Sequence, residues 1–461
     1  MKSLCYIPIL LALTWSHMLC AQSVVKHCPA FDNTNAIVRY WKSDISIAYV
    51  HTTGGTGFFL YEQNGSPIHS ATTFPYGEVF DFEILGDTVY ACGVTSAFSG
   101  GDHGIVAKFH INDLFFNGGD YGYSIIRESS FGCCARMTAP RRMDVYEENG
   151  VVHYALVGDM SSSDCGNYTD GATVEDIYPY DIPSTSPDVY QCNLQNKPNL
   201  EYYTDITATD SYVVAAARHH TGNACYLRIM DRTGNASFLG SPLTYGSIFE
   251  VVDDTPIGDI LVEHITLDIF ALAYHYTNAS EAGLTVKIMK IAPSSQSLSV
   301  VYSCKLVQDT ATVSLSPWTL HDLRYNSGIN HLYLLQEMDY PLHAASTSTV
   351  LDFRLDNSNY SVLQCTADWI SNTRLFSVDS YKGLGFHAMG RHSALPTLFF
   401  KKHQGAAASC CGEQDLPFKD NTAAVTISSV QTTEDNPYYH YSEGSLTPTL
   451  DHHAYGIECN N

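Results

Sequence analysis

Five segments place imidazoles at comparable points along the chain. They are SGGDHG with His103, ARHHTGN with Arg218, His219 and His220, AYHYTN with Tyr274, His275 and Tyr276, YPLHAA with His343, and GRHSAL with Arg391 and His392. Clustered histidines can ligate a transition metal, move protons near neutral pH, or line a polar binding funnel. Arginine and tyrosine beside them add anion-binding forks and flat amphipathic surface. The candidate ligand-binding residues are therefore Arg218, His219, His220, Tyr274, His275, Arg391 and His392. A sixth, related segment has Asp159, Asp164 and Cys165 instead. The plainer account is that surface loops are polar and that this chain holds 20 histidines in all. No HExxH helix and no nucleophile elbow accompanies the histidines, so no catalytic residue is assigned. A divalent metal remains open, and no cofactor is predicted.

A second chemical feature is an aspartate that recurs at Asp81, Asp144, Asp205, Asp259, Asp322 and Asp379, at intervals of 54–63 residues. A ring of carboxylates could hold a cation. The structural reading is stronger. Each Asp opens a short extended run with apolar neighbours, and a buried carboxylate is costly unless hydrogen-bonded. These six are expected to accept bonds from backbone N–H groups or hydroxyls and to serve as fasteners.

The elements that position both features repeat with the Asp. After the Asp run comes a tight turn such as Leu85-Gly86-Asp87. A second apolar run follows that ends on small residues, as in Val89 to Gly93 or Val213 to Ala217. A polar loop leads to a third run (GIVAKFHI from Gly104, LTVKIMKI from Leu284), and a weaker fourth run closes several copies. Short β-branched and aromatic runs cut by Gly, Asn, Asp and Pro are strand and hairpin signal. Four strands per copy at a constant period predict an all-β fold, a β-propeller. The period and the length suggest about seven four-stranded blades, with six or eight as neighbouring counts. The loops after every second strand then share one end of the propeller.

Residues 1–21 read as a secretory leader: Lys2, the apolar stretch Tyr6 to Trp15, and a cleavage point after Ala21. Lipid attachment at Cys20 is the lesser alternative, because Leu19 is large where a small residue is wanted. No other run is long or apolar enough to span a bilayer. Residues 22–461 are expected to form one propeller domain with a solvated acidic insertion near 159–187 and an irregular closing segment over 402–461. The stretch HHAYGIEC from His452 is a candidate to pair with the first blade. Beyond Cys5 and Cys20 twelve cysteines remain. In an exported protein several of these are expected to be paired, with the vicinal Cys133-Cys134 and Cys410-Cys411 reaching different partners.

The phrase DFEILGDTVYACG followed by GIVAKFHINDLF, within residues 77–113, resembles a group of uncharacterised secreted β-propeller proteins of Bacteroidetes-type bacteria. The resemblance implies an exported propeller and carries no catalytic residues.

With 48 acidic and 24 basic side chains the net charge is −24, which argues against nucleic acid as a partner. The 31 tyrosines suit strands first and sugar or protein surfaces second. The sequence as a whole reads as a monomeric, secreted, periplasmic or cell-surface binding protein for a glycan or a surface protein, without catalysis. The alternative is a polysaccharide hydrolase or lyase that uses the histidine-bearing loop face.

Overall fold

The apolar runs form four-stranded antiparallel meanders that follow one another along the chain, the last completed by the N-terminal strand Val24–Cys28. The structure is a computed structural model. It describes residues 24–444, apart from 29–32, 53–54, 63–66, 72–76, 96–102, 118–121, 128–135, 149, 162–171, 178–188, 194–199, 220–224, 233–246, 253–254, 278–280, 293–296, 309–318, 338–347, 371–372, 382, 393–394, 404–411 and 431–437. The leader, Cys20, both vicinal cysteine pairs and the stretch from His452 lie outside the described residues.

The first strand of each meander is innermost. These strands are Asn33–Lys42, Gly77–Leu85, Arg136–Glu148, Leu200–Ala208, Thr255–Thr266, Thr319–Asn326 and Thr373–Tyr381. Each touches the next, and the last touches the first, so they close a ring around an axis. The second strands are covered on both faces by neighbouring sheets. Ile269–Thr277 (IFALAYHYT) is buried along nearly its whole length for that reason. Apolar clusters fill the gaps between sheets. In one, the Phe58 ring meets Phe82 and Phe109 edge-on at 5.3 and 5.1 Å. Each such buried ring stabilises the fold by roughly 1.5–3 kcal/mol. This is an all-β propeller.

Among the described residues there are six hydrogen-bonded sheets rather than seven separate four-stranded ones. One sheet has nine strands. In it the late strand Tyr438–Gly444 pairs with both Val189–Asn193 and Gly122–Arg127, and so joins two meanders edge to edge. The segment expected to be irregular thus consists in part of added strands. Gly412–Asp415 extends the sheet of Val362–Trp369, Lys419–Asp420 that of Ser297–Gln308, and Thr426–Val430 that of Ser247–Val252. The chain runs backward around the rim and covers one outer edge after another, which removes exposed edges that would invite aggregation. Leu416 and Phe418 anchor it on one apolar cluster, Val425 and Ile427 on another. Ring closure comes from the other end of the chain. Val24–Cys28, just after the expected cleavage point, pairs with Leu395–His403.

Two further expectations change. Part of the insertion near 159–187 is not a loop, because Ala172–Ile177 pairs with Tyr154 to Asp159 as a third strand. Cys92, Cys225, Cys304 and Cys365 are buried, and no disulfide occurs among these four, the cysteines whose side chains are described. These four behave as small apolar groups in the sheets.

The repeated carboxylates tie inner strand to inner strand. Asp81 Oδ2 accepts from the Met143 N–H (3.1 Å), Asp144 Oδ2 from Ala208 (2.6 Å), Asp205 Oδ2 from Val262 (2.9 Å) and Asp379 Oδ2 from Tyr40 (2.6 Å). Asp322 Oδ2 accepts from the Ser377 hydroxyl at 2.8 Å. The donors lie on the neighbouring strand rather than in loops. Asp259 breaks the pattern. At its junction Glu263 takes the role, accepting from the Tyr325 N–H at 3.0 Å.

Candidate functional site at the axial mouth

Every inner strand carries a β-bulge near its start. Register shifts fall between Asn33 and Asn35, Val79 and Asp81, Pro140 and Arg142, Tyr203 and Asp205, Ile257 and Ile260, Leu320 and Asp322, and Leu375 and Ser377. A bulge adds one residue to one strand of a pair and re-aims its side chain. Small residues opposite make it tolerable. A Cβ on Gly93, Gly158 or Gly390 would come within 2.0–2.2 Å of a backbone carbonyl oxygen on the bulged strand. This accounts for the glycines that end several second strands.

The bulged residues converge. Phe80, Arg141, Thr204, Asp259, His321 and Phe376 all line one axial cavity of about 570 Å³. Asn35 and Ile37 complete it from the strand Asn33–Lys42, and Arg142, Tyr203, Asp322 and Ser377 flank the bulges. The volume lies in the range of small-molecule sites, roughly 300–1,000 Å³. The cavity sits at the starts of the inner strands. Antiparallel pairing puts the ends of the second strands at that level, as in Tyr202 with Arg218 and Arg374 with Arg391. The axial mouth and the loops singled out in the sequence therefore share one end of the molecule.

Below the cavity lies a buried charge network. Arg39 reaches Asp81 (2.8 Å), Asp322 (3.2 Å) and Glu83 (3.3 Å), and Arg324 reaches Glu83 (2.8 Å) and Asp322 (3.1 Å). Burial pushes the Asp322 carboxyl up, but Arg324, Arg39 and Arg142 outweigh it and hold it well below the usual range. For Glu83 burial prevails over the same kind of neighbours, Arg324 and Arg39, and raises its carboxyl to about 7.

Asp259 stands apart from this network. Burial raises its carboxyl against the opposing pull of Arg142, Arg218, His321 and Arg141. Around it the cations are held in place. The Arg142 guanidinium donates to the His321 carbonyl oxygen. His321 Nε2 is 2.9 Å from Glu337 Oε2, and Arg374 Nε is 3.0 Å from Glu337 Oε1. The Arg141 guanidinium lies over the Phe80 ring at 5.6 Å and that of Arg374 over Phe376 at 5.5 Å. Both arginines are exposed. The mouth can thus offer cationic forks and aromatic faces around Asp259, the lining carboxyl not committed to a fastener among the described residues.

Of the residues proposed from sequence, Arg218 does not line the cavity but pairs in register with Tyr202 at the same end and acts on the Asp259 carboxyl. Arg391 is exposed and pairs in register with Arg374 at the same end. Tyr274 and His275 do not reach the face. The Tyr274 hydroxyl accepts from Lys287 Nζ at 2.6 Å within the core, and His275 Nε2 lies 3.0 Å from Gln336 Oε1 of the next sheet. The backbones of His103, His219, His392 and Asp159 are paired strand ends, while their side chains, together with all of His220, His343, Asp164 and Cys165, lie outside the described residues. No group of three or more metal-ligating side chains occurs among the described residues. No helix there is long and apolar enough to cross a membrane.

The sequence reading missed Phe80, Arg141, Asp259 as a site residue, His321, Arg374 and Phe376. A signal was present. The position one to three residues before the repeat Asp varies (Phe80, Arg141, Thr204, His321, Phe376) inside a frame that otherwise repeats.

No family model and no curated protein matches the chain. Among solved structures, the β-propeller domain of Nup133 from Vanderwaltozyma polyspora is similar at 9% identity and a TM-score of 0.40, over 82% of this chain and 97% of that one. A mutant NanB sialidase from Streptococcus pneumoniae is similar at 9% identity and a TM-score of 0.34, over 88% of this chain and 71% of that one.

Proposed function

We propose that this is an exported, non-catalytic propeller that binds a glycan or a surface protein at its axial mouth, and that its sheets count as seven blades. On this reading the nine-stranded sheet is two blades bridged by Tyr438–Gly444. The carrying observation is the convergence of bulged side chains from six inner strands on one cavity of ligand size. Six strands that each re-aim a residue to the same place support a built site rather than a packing gap. Export rests on the leader-like N-terminus.

Binding rather than hydrolysis is supported by the carboxyl inventory. Glycoside cleavage ordinarily needs two carboxyls across the scissile bond. Of the two carboxyls that line the cavity among the described residues, Asp322 is engaged by Arg39 and Arg324, which leaves Asp259. The raised Asp259 carboxyl is the one feature that favours an acid-catalysed alternative.

A screen of immobilised glycans and surface proteins with the purified protein tests this reading. Binding is expected to fall at least about tenfold in Phe376→Ala and to persist in Leu267→Asn, a control in an exposed turn that joins strand ends away from the mouth. Equal loss in both variants, or none in Phe376→Ala, would remove the axial site. Polysaccharide turnover that is lost in Asp259→Asn would instead establish the hydrolase or lyase alternative.

A further inference from the structure

Resting on that reading, we propose that the axial mouth is selective for an anionic saccharide, one whose charge is a carboxylate or a sulfate. The charge distribution points this way. The whole chain is at −24, yet Arg141, Arg142 and His321 line the same cavity as Asp259, and Arg218 also acts on its carboxyl. Arg374 does not line the cavity but lies over the ring of Phe376, which does. Of the other acids in contact with lining side chains, Asp322 is engaged by Arg39 and Arg324, Glu337 by His321 and Arg374, and Glu78 accepts from Asn35 at 3.5 Å. A cation-rich mouth on an acidic protein repels anions least at that point and steers them to it.

The second argument is preorganisation. Guanidinium groups recognise carboxylate and sulfate oxygens through parallel N–H donors, and gain more when held flat beforehand. Arg141 lies over Phe80 at 5.6 Å, and Arg374 over Phe376 at 5.5 Å while its Nε is tied to Glu337. The same rings lie in the cavity wall, where a pyranose face can stack beside the fork. Thr204, Asn35 and Asp259 supply hydroxyl-directed partners within the same cavity. A flat apolar face with a charge at its edge describes a sugar acid or a sugar sulfate.

The test is calorimetric titration of the purified full chain with three probes: an oligogalacturonate trimer, the same trimer fully methyl-esterified, and a sulfated galactose trisaccharide. The acid or the sulfate should bind at least about tenfold more tightly than the ester. That preference should shrink when salt is raised from about 50 to about 500 mM. Arg141→Gln and Arg374→Gln, both at exposed positions, should each erode it about tenfold while leaving the melting temperature in place. Whichever anion binds assigns the group. If ester and acid bind equally and both are lost in Phe376→Ala, anion selectivity is overturned while the axial glycan site stands. If none of the three binds at millimolar concentration, the selectivity and the saccharide reading fall together.

Discussion

Asp322 and Asp259 sit at equivalent points of the sequence repeat, 63 residues apart, yet they belong to different regions with opposite electrostatics. Asp322 lies in the ring of fasteners. It receives the Ser377 hydroxyl and two guanidinium groups, and its charge is held on. Asp259 lies one level up, at a bulge, in the mouth. It is approached by cations but bonds to no neighbouring strand among the described residues, and burial raises its carboxyl. A propeller must hold its inner strands together and also leave something at the axis for a ligand. This chain separates the two tasks along the axis by placing the fastener after the bulge and the site residue on it.

The heaviest way to break this contrast is to remove the cation at the centre of the fastener level. Arg39→Met would leave Asp81, Glu83 and Asp322 buried without their shared partner. Removing one partner of a buried ion pair costs about 3–5 kcal/mol, so urea unfolding should shift by an amount in that range. A shift below about 1 kcal/mol would mean that the network is not what joins the first and last meanders to the ring.

Next in size is Glu263→Ala. It removes the acceptor for the Tyr325 N–H and should cost about 1–3 kcal/mol by the same measurement. If the alanine is tolerated and Asp259→Ala is not, the assignment of fastener and site residue is reversed.

The pH dependence sharpens the contrast without changing contacts. The Asp205 carboxyl is raised by burial to about 7, from an ordinary value near 3.8. The folded state therefore binds a proton between those two values that the unfolded state does not. That contribution is full below about pH 4 and is lost as pH rises through about 7. Stability should fall from pH 5 to pH 8, and Glu83, also raised to about 7, adds to the fall. Asp322, Asp379 and Glu337 are lowered and act in the opposite sense, at more acidic pH. Asp205→Asn should reduce the fall between pH 5 and 8. An unchanged slope would place the titration elsewhere.

The four buried thiols give a smaller, direct check. Burial raises Cys304 to about 12 and Cys92 and Cys365 well above the usual range. Under native conditions they should resist a thiol reagent, and they should react once the chain is unfolded without reductant. Failure to react after unfolding would restore the disulfide expectation for them.

Much of the fold was legible because a propeller repeats its grammar. The strand runs, the turns and five of the six fasteners follow from periodicity and the cost of a buried carboxylate. The misassigned sixth shows the limit of spacing alone. Glu263 precedes the end of its inner strand by three residues, as Asp205 does, whereas Asp259 lies seven before it. Distance to the following turn identifies the fastener; distance from the previous copy does not. The bulges were not legible, since one extra residue leaves the apolar alternation almost intact. Tyr274 and His275 read as loop residues because AYHY looks polar, but a strand covered on both faces continues through them. The strands of the rim were missed because they pair over only two to five residues on an outer edge and need no apolar stripe of their own.

The smallest expected effect is also the most discriminating. Asp259→Asn removes a charge that desolvation disfavours and that bonds to no neighbouring strand among the described residues. Its unfolding midpoint should stay within about 0.5 kcal/mol of the parent, and on the stabilising side if it moves at all. Arg141, Arg142, Arg218 and His321 then lose one of the carboxyls that oppose them, so affinity for an anionic saccharide should rise in the same variant whose stability hardly changes. Asp81→Asn should do the reverse, with a lower midpoint from the weakened Arg39 and Met143 contacts and no gain in binding. If Asp259→Asn instead unfolds the protein, the mouth is part of the fastening after all, and the separation along the axis fails.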